Sequence, residues 1–200
     1  MLREPFTEKF YTYHSKYIEN VLALRQPQRE SLEIFARLCD ILTFSKEPNL
    51  GAELEAVHAL FPTLSSFERD FPSFCFALAT GIGKTRLMGA CIAYLRYEKG
   101  IKNFFVMAPN LTIYDKLKAD LGNTSNPKYV FKGLDLFAKP PRIIDGDNYA
   151  DFRQGTFGVN DVVINVFNIS KLNAESKGKN GEPARIKRLN EVLGTSYFEY

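Results

Sequence analysis

Ala79-Thr80-Gly81-Ile82-Gly83-Lys84-Thr85 (ATGIGKT) is the stretch of this sequence that decides its fold. It follows an apolar run over 74–78 and precedes a segment in which Leu87, Cys91 and Leu95 recur at helical spacing. A glycine-rich turn between a buried strand and a helix is the context in which a phosphate-binding loop is expected. The sequence therefore predicts a strand buried on both faces, a phosphate-binding turn, and a helix that ends before Gly100.

Each residue type in this turn suits a bound phosphate. Gly81 and Gly83 allow backbone angles closed to other residues, so that the amides of 80–85 can point inward at the helix N-terminus. Lys84 supplies a full positive charge for the β- and γ-phosphates, and the hydroxyl of Thr85 is placed to ligate Mg²⁺. We predict Lys84 as the catalytic group and Thr85 as the metal ligand. The predicted ATP-binding residues of the turn are Thr80, Gly81, Ile82, Gly83, Lys84, Thr85 and Arg86.

The turn departs from the pattern G-x-x-x-x-G-K-[ST] at one position. Leu78 stands where that pattern has its first glycine. The alternative interpretation is a tight strand-to-helix turn without a ligand.

Strand-like and helix-like segments alternate on both sides of the turn. The predicted helices cover 32–42, 54–61, 87–95 and 111–121, and the predicted strands cover 74–78, 104–108, 129–131, 142–144 and 162–167. Short connections between such elements predict an α/β fold with a parallel sheet and helices on both of its faces. We expect a helical segment over 1–70 and an ATP-binding lobe over 71–200.

Composition excludes several classes of protein. The 200 residues are 45% hydrophobic and 24% charged, which are ordinary values for a soluble domain. No apolar run approaches the roughly 18 residues of a membrane-spanning helix, and the first residues do not resemble a secretory signal. Cys39, Cys75 and Cys91 form no CxxC pair, so we expect three small buried hydrophobes and no metal site. These features predict a cytoplasmic protein without membrane contact.

Charge is unevenly distributed along the sequence. The formal net charge is only +3, but the segment 171–188 contains six basic residues against two acidic ones. Two interpretations remain open for this segment, a solvated loop and an arm that contacts a phosphate backbone.

The motifs resemble those of a known group of motor proteins. ATGIGKT is similar to motif I of superfamily-two helicases and translocases, in which the first glycine is commonly absent. Leu24-Arg25-Gln26-Pro27-Gln28 matches their LRxxQ pattern, which implies that Gln28 reads the adenine edge. The stretch 104–111 resembles motif Ia, and 165–170 stands where a later nucleic-acid-contacting motif is expected.

Among these motors, the run of motifs over roughly 24–170 looks most like the restriction (Res) subunit of type III restriction endonucleases. The resemblance implies a RecA-like lobe that binds ATP and Mg²⁺, as part of an ATP-dependent restriction endonuclease and DNA helicase. It also implies double-stranded DNA and a modification (methyltransferase) subunit as partners. The second motor lobe and the nuclease domain of such a subunit do not fit within 200 residues.

Hydrolysis of ATP needs carboxylates that this sequence does not place in the usual pattern. No run of four apolar residues is followed by Asp-Glu, and the nearest candidate, Asp145, is followed by Gly146. The strand over 162–167 ends in Asn168, which cannot act as a base. We therefore expect a partial lobe with uncovered apolar sheet surface that binds Mg·ATP or Mg·ADP and hydrolyses it negligibly.

Two other classes of protein remain open. One is a different P-loop nucleotide-binding enzyme, such as a small-molecule kinase, although such a loop usually keeps its first glycine. The other is an interaction module gated by a nucleotide, which the absence of the acid pair allows.

Overall fold

The structure is a computed structural model that describes residues 12–45, 47–146, 148 and 161–168. The chain divides into two compact units, with the boundary between Tyr94 and Leu95. The predicted division at residues 70 and 71 stays a prediction. The described helices are α1 (Tyr13–Val21), α2 (Gln26–Ile41), α3 (Leu50–Leu60), α4 (Lys84–Glu98) and α5 (Leu111–Gly122), and the strands are β1 (Asn103–Ala108), β2 (Arg142–Ile144) and β3 (Val163–Asn168).

Helices α2 and α3 lie in the first unit, where the sequence predicts them. Pro27 occupies the first turn of α2, and the backbone N–H of Arg25 donates to the Oε1 atom of Gln28 at 2.8 Å, which satisfies a backbone donor at the helix start. The side chain of Asn49 accepts a hydrogen bond from the N–H of Ala52 at the start of α3. Local capping and apolar spacing thus account for both helices.

The predicted strand over 74–78 is wrong. Among the described residues this segment pairs with no strand, and its side chains alternate in burial. Phe74 and Phe76 pack against a hydrophobic cluster of the first unit that contains Leu38, Val57 and Phe67, whereas Cys75 is exposed. The apolar run therefore covers one side of this hydrophobic cluster. A strand buried on both faces needs neighbouring strands that satisfy its backbone, and the described sheet supplies none here.

The thiol of Cys75 provides a test of this arrangement. Cys39 is buried, and burial raises the pKa of Cys91 to about 12, so that its thiol stays neutral at ordinary pH. The expectation of three buried cysteines is therefore wrong for Cys75. We expect one of the three thiols to react rapidly with a disulfide reagent at pH 8 in the native chain, and all three in guanidinium. Protection of Cys75 in the native chain would contradict the exposed position of its side chain.

The second unit contains a three-stranded parallel sheet in the order β1-β3-β2. Asn103 lies opposite Val163 in one ladder, and Arg142 lies opposite the same residue in the other. Every residue of the central strand β3 is buried. The predicted strands over 104–108, 142–144 and 162–167 are confirmed to within one residue, and so is the α/β class.

Helix α5 packs against all three strands. Its buried stripe of Tyr114, Leu117 and Leu121 follows the predicted helical spacing, whereas Leu111 in the first turn is exposed. The side chain of Asn110 accepts a hydrogen bond from the N–H of Ile113 at 2.9 Å and caps the helix. The connection from β1 to α5 is therefore as short as the sequence predicts.

The predicted strand over 129–131 is also wrong. These residues form a buried turn in which the N–H of Val130 donates to the carbonyl of Asp120 at the end of α5. The ring of Phe131 stacks on Phe137 with centroids 4.2 Å apart, and Tyr129 meets Phe131 edge to face. The run is apolar because its aromatic rings fill the core beside α5, and its backbone bonds to a helix end instead of to a strand.

Within the ranges that the structure describes, no helix is long and apolar enough to cross a membrane.

Candidate nucleotide-binding site

The turn before α4 has the backbone geometry of a phosphate-binding loop. Gly81 has a φ of +81° and Gly83 a φ of +90°, both in the left-handed region that favours glycine. Helix α4 begins at Lys84, immediately after the second glycine. The predicted residues Thr80 to Arg86 are thus brought together in one exposed turn and the first turn of a helix. Successive amides at a helix N-terminus are suited to bind an anion.

The carbonyl of Gly83 starts the helix. It accepts hydrogen bonds from the N–H of Arg86 at 3.0 Å and from the N–H of Leu87 at 3.2 Å. The first N–H groups of an α-helix have no acceptor within the helix itself, and α4 starts at Lys84. The helix dipole makes this end partly positive, so an anion placed there would be stabilised.

The side chain of Lys84 is exposed at this helix start. Within the described part of the chain, no hydrogen bond or ion pair engages its ammonium group. A cation beside a partly positive helix N-terminus is unfavourable for the helix itself, because the dipole favours negative charge at that end. Lys84 therefore concentrates positive charge where a polyphosphate would compensate it.

Gln28 reaches the same turn from α2, 55 residues earlier in the sequence. Its Nε2 atom donates to the carbonyl of Gly83 at 2.9 Å, and its Oε1 atom accepts from the N–H of Arg25 at 2.8 Å. The side chain is only 2% exposed. The sequence thus identifies a residue beside the loop, and its predicted contact with adenine stays a prediction.

Arg86 points away from the turn toward α1. Its Nη1 atom donates to the carbonyl of Leu22, which caps the C-terminus of that helix, at 3.1 Å. A guanidinium is favourable there because the carbonyls at a helix C-terminus carry partial negative charge. Its predicted contact with ATP stays a prediction. Sequence reasoning missed this bond, since nothing in the local pattern signals a partner 64 residues away.

The candidate acid Asp145 follows β2 in the second unit. Its carboxylate forms an ion pair with Lys118, and its Oδ1 atom accepts from the N–H of Asn148 at 3.0 Å. Asn148 in turn donates to the carbonyl of Ile143 at 3.0 Å. These contacts hold the Asp145 side chain in the turn that follows β2, next to Gly146.

The stretch 165–170, predicted to contact nucleic acid, is described only as far as Asn168. Asn165 is buried in β3, where its Nδ2 atom donates to the carbonyl of Phe104 at 3.0 Å, and Asn168 is buried as well. The side chains of these two residues are therefore buried in the second unit. The predictions for the basic segment 171–188 lie outside the described residues.

A left-handed glycine turn before a helix, in a chain with a parallel α/β sheet, is typical of nucleotide-binding proteins. The chain matches the family model described as type III restriction enzyme, res subunit, over residues 11–193, and it belongs to that family. Membership implies a helicase-like, ATP-dependent role in type III restriction. No curated protein and no solved structure matches the chain significantly.

Proposed function

We propose that this chain is the ATP-binding N-terminal part of the DNA translocase of a type III restriction endonuclease, within a RecA-like P-loop lobe. The observation that carries the proposal is the pair of left-handed glycines, Gly81 and Gly83, directly before α4. Membership of the Res family supports ATP and Mg²⁺ as the ligands. It likewise supports double-stranded DNA and a modification subunit as partners, and a cytoplasmic location.

The residues of the turn fit a polyphosphate. The amides of 80–85 donate to phosphate oxygens, and the ammonium of Lys84 binds the β- and γ-phosphates. The hydroxyl of Thr85 is the candidate protein ligand for Mg²⁺, which neutralises phosphate charge when bound. The space beside Gly81 is open, since a Cβ there would meet no atom within 4 Å. The open turn and the exposed lysine are what such a ligand requires.

Calorimetric titration of Mg·ATP tests this proposal. We expect saturable one-site binding by the unaltered chain and about 10- to 150-fold weaker binding by Lys84→Ala, because a charge-assisted contact with phosphate is lost. The matched control is Lys99→Ala, which removes an exposed lysine just beyond the other end of α4 and should leave the affinity unchanged. Equal affinities for the unaltered chain and Lys84→Ala, or no binding by either folded protein, would contradict the proposal.

The same samples report on hydrolysis. We propose that the 200-residue chain binds Mg·ATP and hydrolyses it negligibly, because Asp145, the acid that comes nearest to the required sequence pattern, is followed by Gly146 and is engaged by Lys118 and Asn148. Phosphate release that disappears in Lys84→Ala would contradict this part of the proposal and leave the binding part intact.

A further inference from the structure

The side chain of Arg86 connects the first turn of α4 to the end of α1. Arg86 is the third residue of α4 and directly follows Thr85, the candidate magnesium ligand. Its Nη1 atom donates to the carbonyl of Leu22, 64 residues earlier in the sequence, at 3.1 Å. We propose that Arg86 is a positioning residue that couples the phosphate-binding turn to the C-terminal end of α1, so that a bound nucleotide also stabilises this end. This inference rests on the proposed function, because it assumes that the turn binds phosphate.

The end of α1 has the geometry of a Schellman motif. Ala23 has a φ of +47°, and its N–H donates to the carbonyl of Asn20 at 3.1 Å. The N–H of Leu24 donates to the carbonyl of Glu19 at 3.0 Å. Two such bonds around a left-handed residue define this type of helix end, in which the left-handed residue is usually glycine. Alanine is strained in this conformation, so the motif persists only where its surroundings hold it.

Arg86 holds the peptide that leads into this strained residue. The carbonyl of Leu22 and the N–H of Ala23 belong to one planar peptide, so the two groups are oriented together. In the described part of the chain no backbone N–H donates to the Leu22 carbonyl, which accepts from Arg86 instead. Leu22 is only 6% exposed, and a carbonyl withdrawn from water without a donor costs free energy. The guanidinium therefore supplies a donor at the point where the end of α1 is strained.

The bond between Arg86 and Leu22 requires both helix ends to be formed. The first turn of a helix opens more readily than its middle, because its N–H groups have no acceptor within the helix. A phosphate bound to these amides stabilises the first turn of α4, and by linkage it favours every interaction that depends on this turn. Arg86 lies in the turn, so its bond to Leu22 persists for a larger fraction of the time when a nucleotide is bound. The end of α1 thus responds to occupancy of the phosphate-binding turn.

Direct contact between Arg86 and a phosphate would have the opposite effect on α1. A guanidinium that moved to the nucleotide would release the carbonyl of Leu22, and the strained turn at Ala23 would lose its side-chain donor. Opening of this turn would then become more frequent when ATP binds. The sign of the change at the end of α1 therefore separates the positioning role from a phosphate contact.

Amide hydrogen exchange measured by NMR, with and without saturating Mg·ATP, tests the proposal. The probes are the N–H groups of Ala23 and Leu24, and the reference is the N–H of Phe61, which donates to the carbonyl of Val57 at the end of α3. In the unaltered chain we expect Mg·ATP to slow exchange of the probes about 5-fold or more relative to the reference. In Arg86→Met, which replaces an exposed residue and should fold, we expect no such slowing at saturation. A purely structural Arg86 would alter exchange in the free chain and leave the effect of Mg·ATP intact.

The matched control is Arg29→Met. Arg29 also contacts α1, through an ion pair with Glu19 at 3.4 Å, but it belongs to α2, so the slowing by Mg·ATP should remain in this variant. Equal slowing in the unaltered chain and in Arg86→Met, or slowing that Phe61 shares equally, would overturn the proposal. Faster exchange of the probes with Mg·ATP would overturn it in favour of a phosphate contact by Arg86. Binding of Mg·ATP without slowing would refute this inference alone, whereas no binding by the folded chain would refute the proposed function and this inference with it.

Discussion

Replacing Phe131 by alanine is expected to lower the free energy of unfolding of the chain by about 3–5 kcal/mol, the usual cost of removing a large aromatic side chain from a core. Phe131 is 0% exposed. Its ring stacks on Phe137 at a centroid distance of 4.2 Å and receives the edge of Tyr129 at 5.7 Å. Truncation removes both ring contacts and leaves a cavity in the second unit that neighbouring side chains fill only in part.

Urea unfolding measured by circular dichroism tests this prediction against a matched phenylalanine. Phe71 is 58% exposed, and we expect Phe71→Ala to change the free energy of unfolding by about 0.5 kcal/mol or less. If Phe131→Ala does not fold, Phe131→Leu retains most of the volume and should cost about 1.5 kcal/mol or less. Similar small losses for Phe131→Ala and Phe71→Ala would show that the ring cluster around Phe131 does not form.

Helices and paired strands of this chain are largely predictable because their signals are local. The helical spacing of Leu32 and Cys39 after Pro27 predicts α2, and Asn110 caps the start of α5. The β-branched run of β3 is long enough to identify a buried strand, and its parallel partners follow from the alternation with helices.

The two wrong strand predictions have a common physical cause. The runs over 74–78 and 129–131 are short and apolar, a pattern that fits any buried segment. Whether such a run becomes a strand depends on a neighbouring strand that comes from elsewhere in the chain. Phe74 and Phe76 instead cover a helical cluster, and the N–H of Val130 bonds to a helix end.

In the candidate site, too, the features set by local sequence were predictable and those set by tertiary packing were not. The turn residues from Thr80 to Arg86 are consecutive, so the sequence alone brings them together. Gln28 is remote in sequence, and the resemblance to helicases pointed to it. The directions of its amide and of the Arg86 guanidinium, toward Gly83 and Leu22, depend on tertiary packing that no local pattern encodes.

Alanine at Gly83 is expected to weaken Mg·ATP binding by about 30- to 1,000-fold, and alanine at Gly81 by about 5- to 30-fold. Both glycines have a positive φ, which costs an L-residue about 1–2 kcal/mol. An alanine variant can relieve this strain by moving out of the left-handed region. The binding-competent turn is then a minor conformation, and the apparent affinity for Mg·ATP falls in proportion to the fraction of molecules that adopt it.

Gly83 should be the more sensitive position because its Cβ would also collide with Nε2 of Gln28 at 2.6 Å. That collision displaces the side chain that donates to the Gly83 carbonyl, so the variant loses both a permitted φ and one hydrogen bond of the turn. Calorimetric titration of Mg·ATP into the two alanine variants measures the difference directly. Equal or reversed losses would mean that Gln28 does not shape the turn, and unchanged affinity in both would mean that ATP does not bind to these amides.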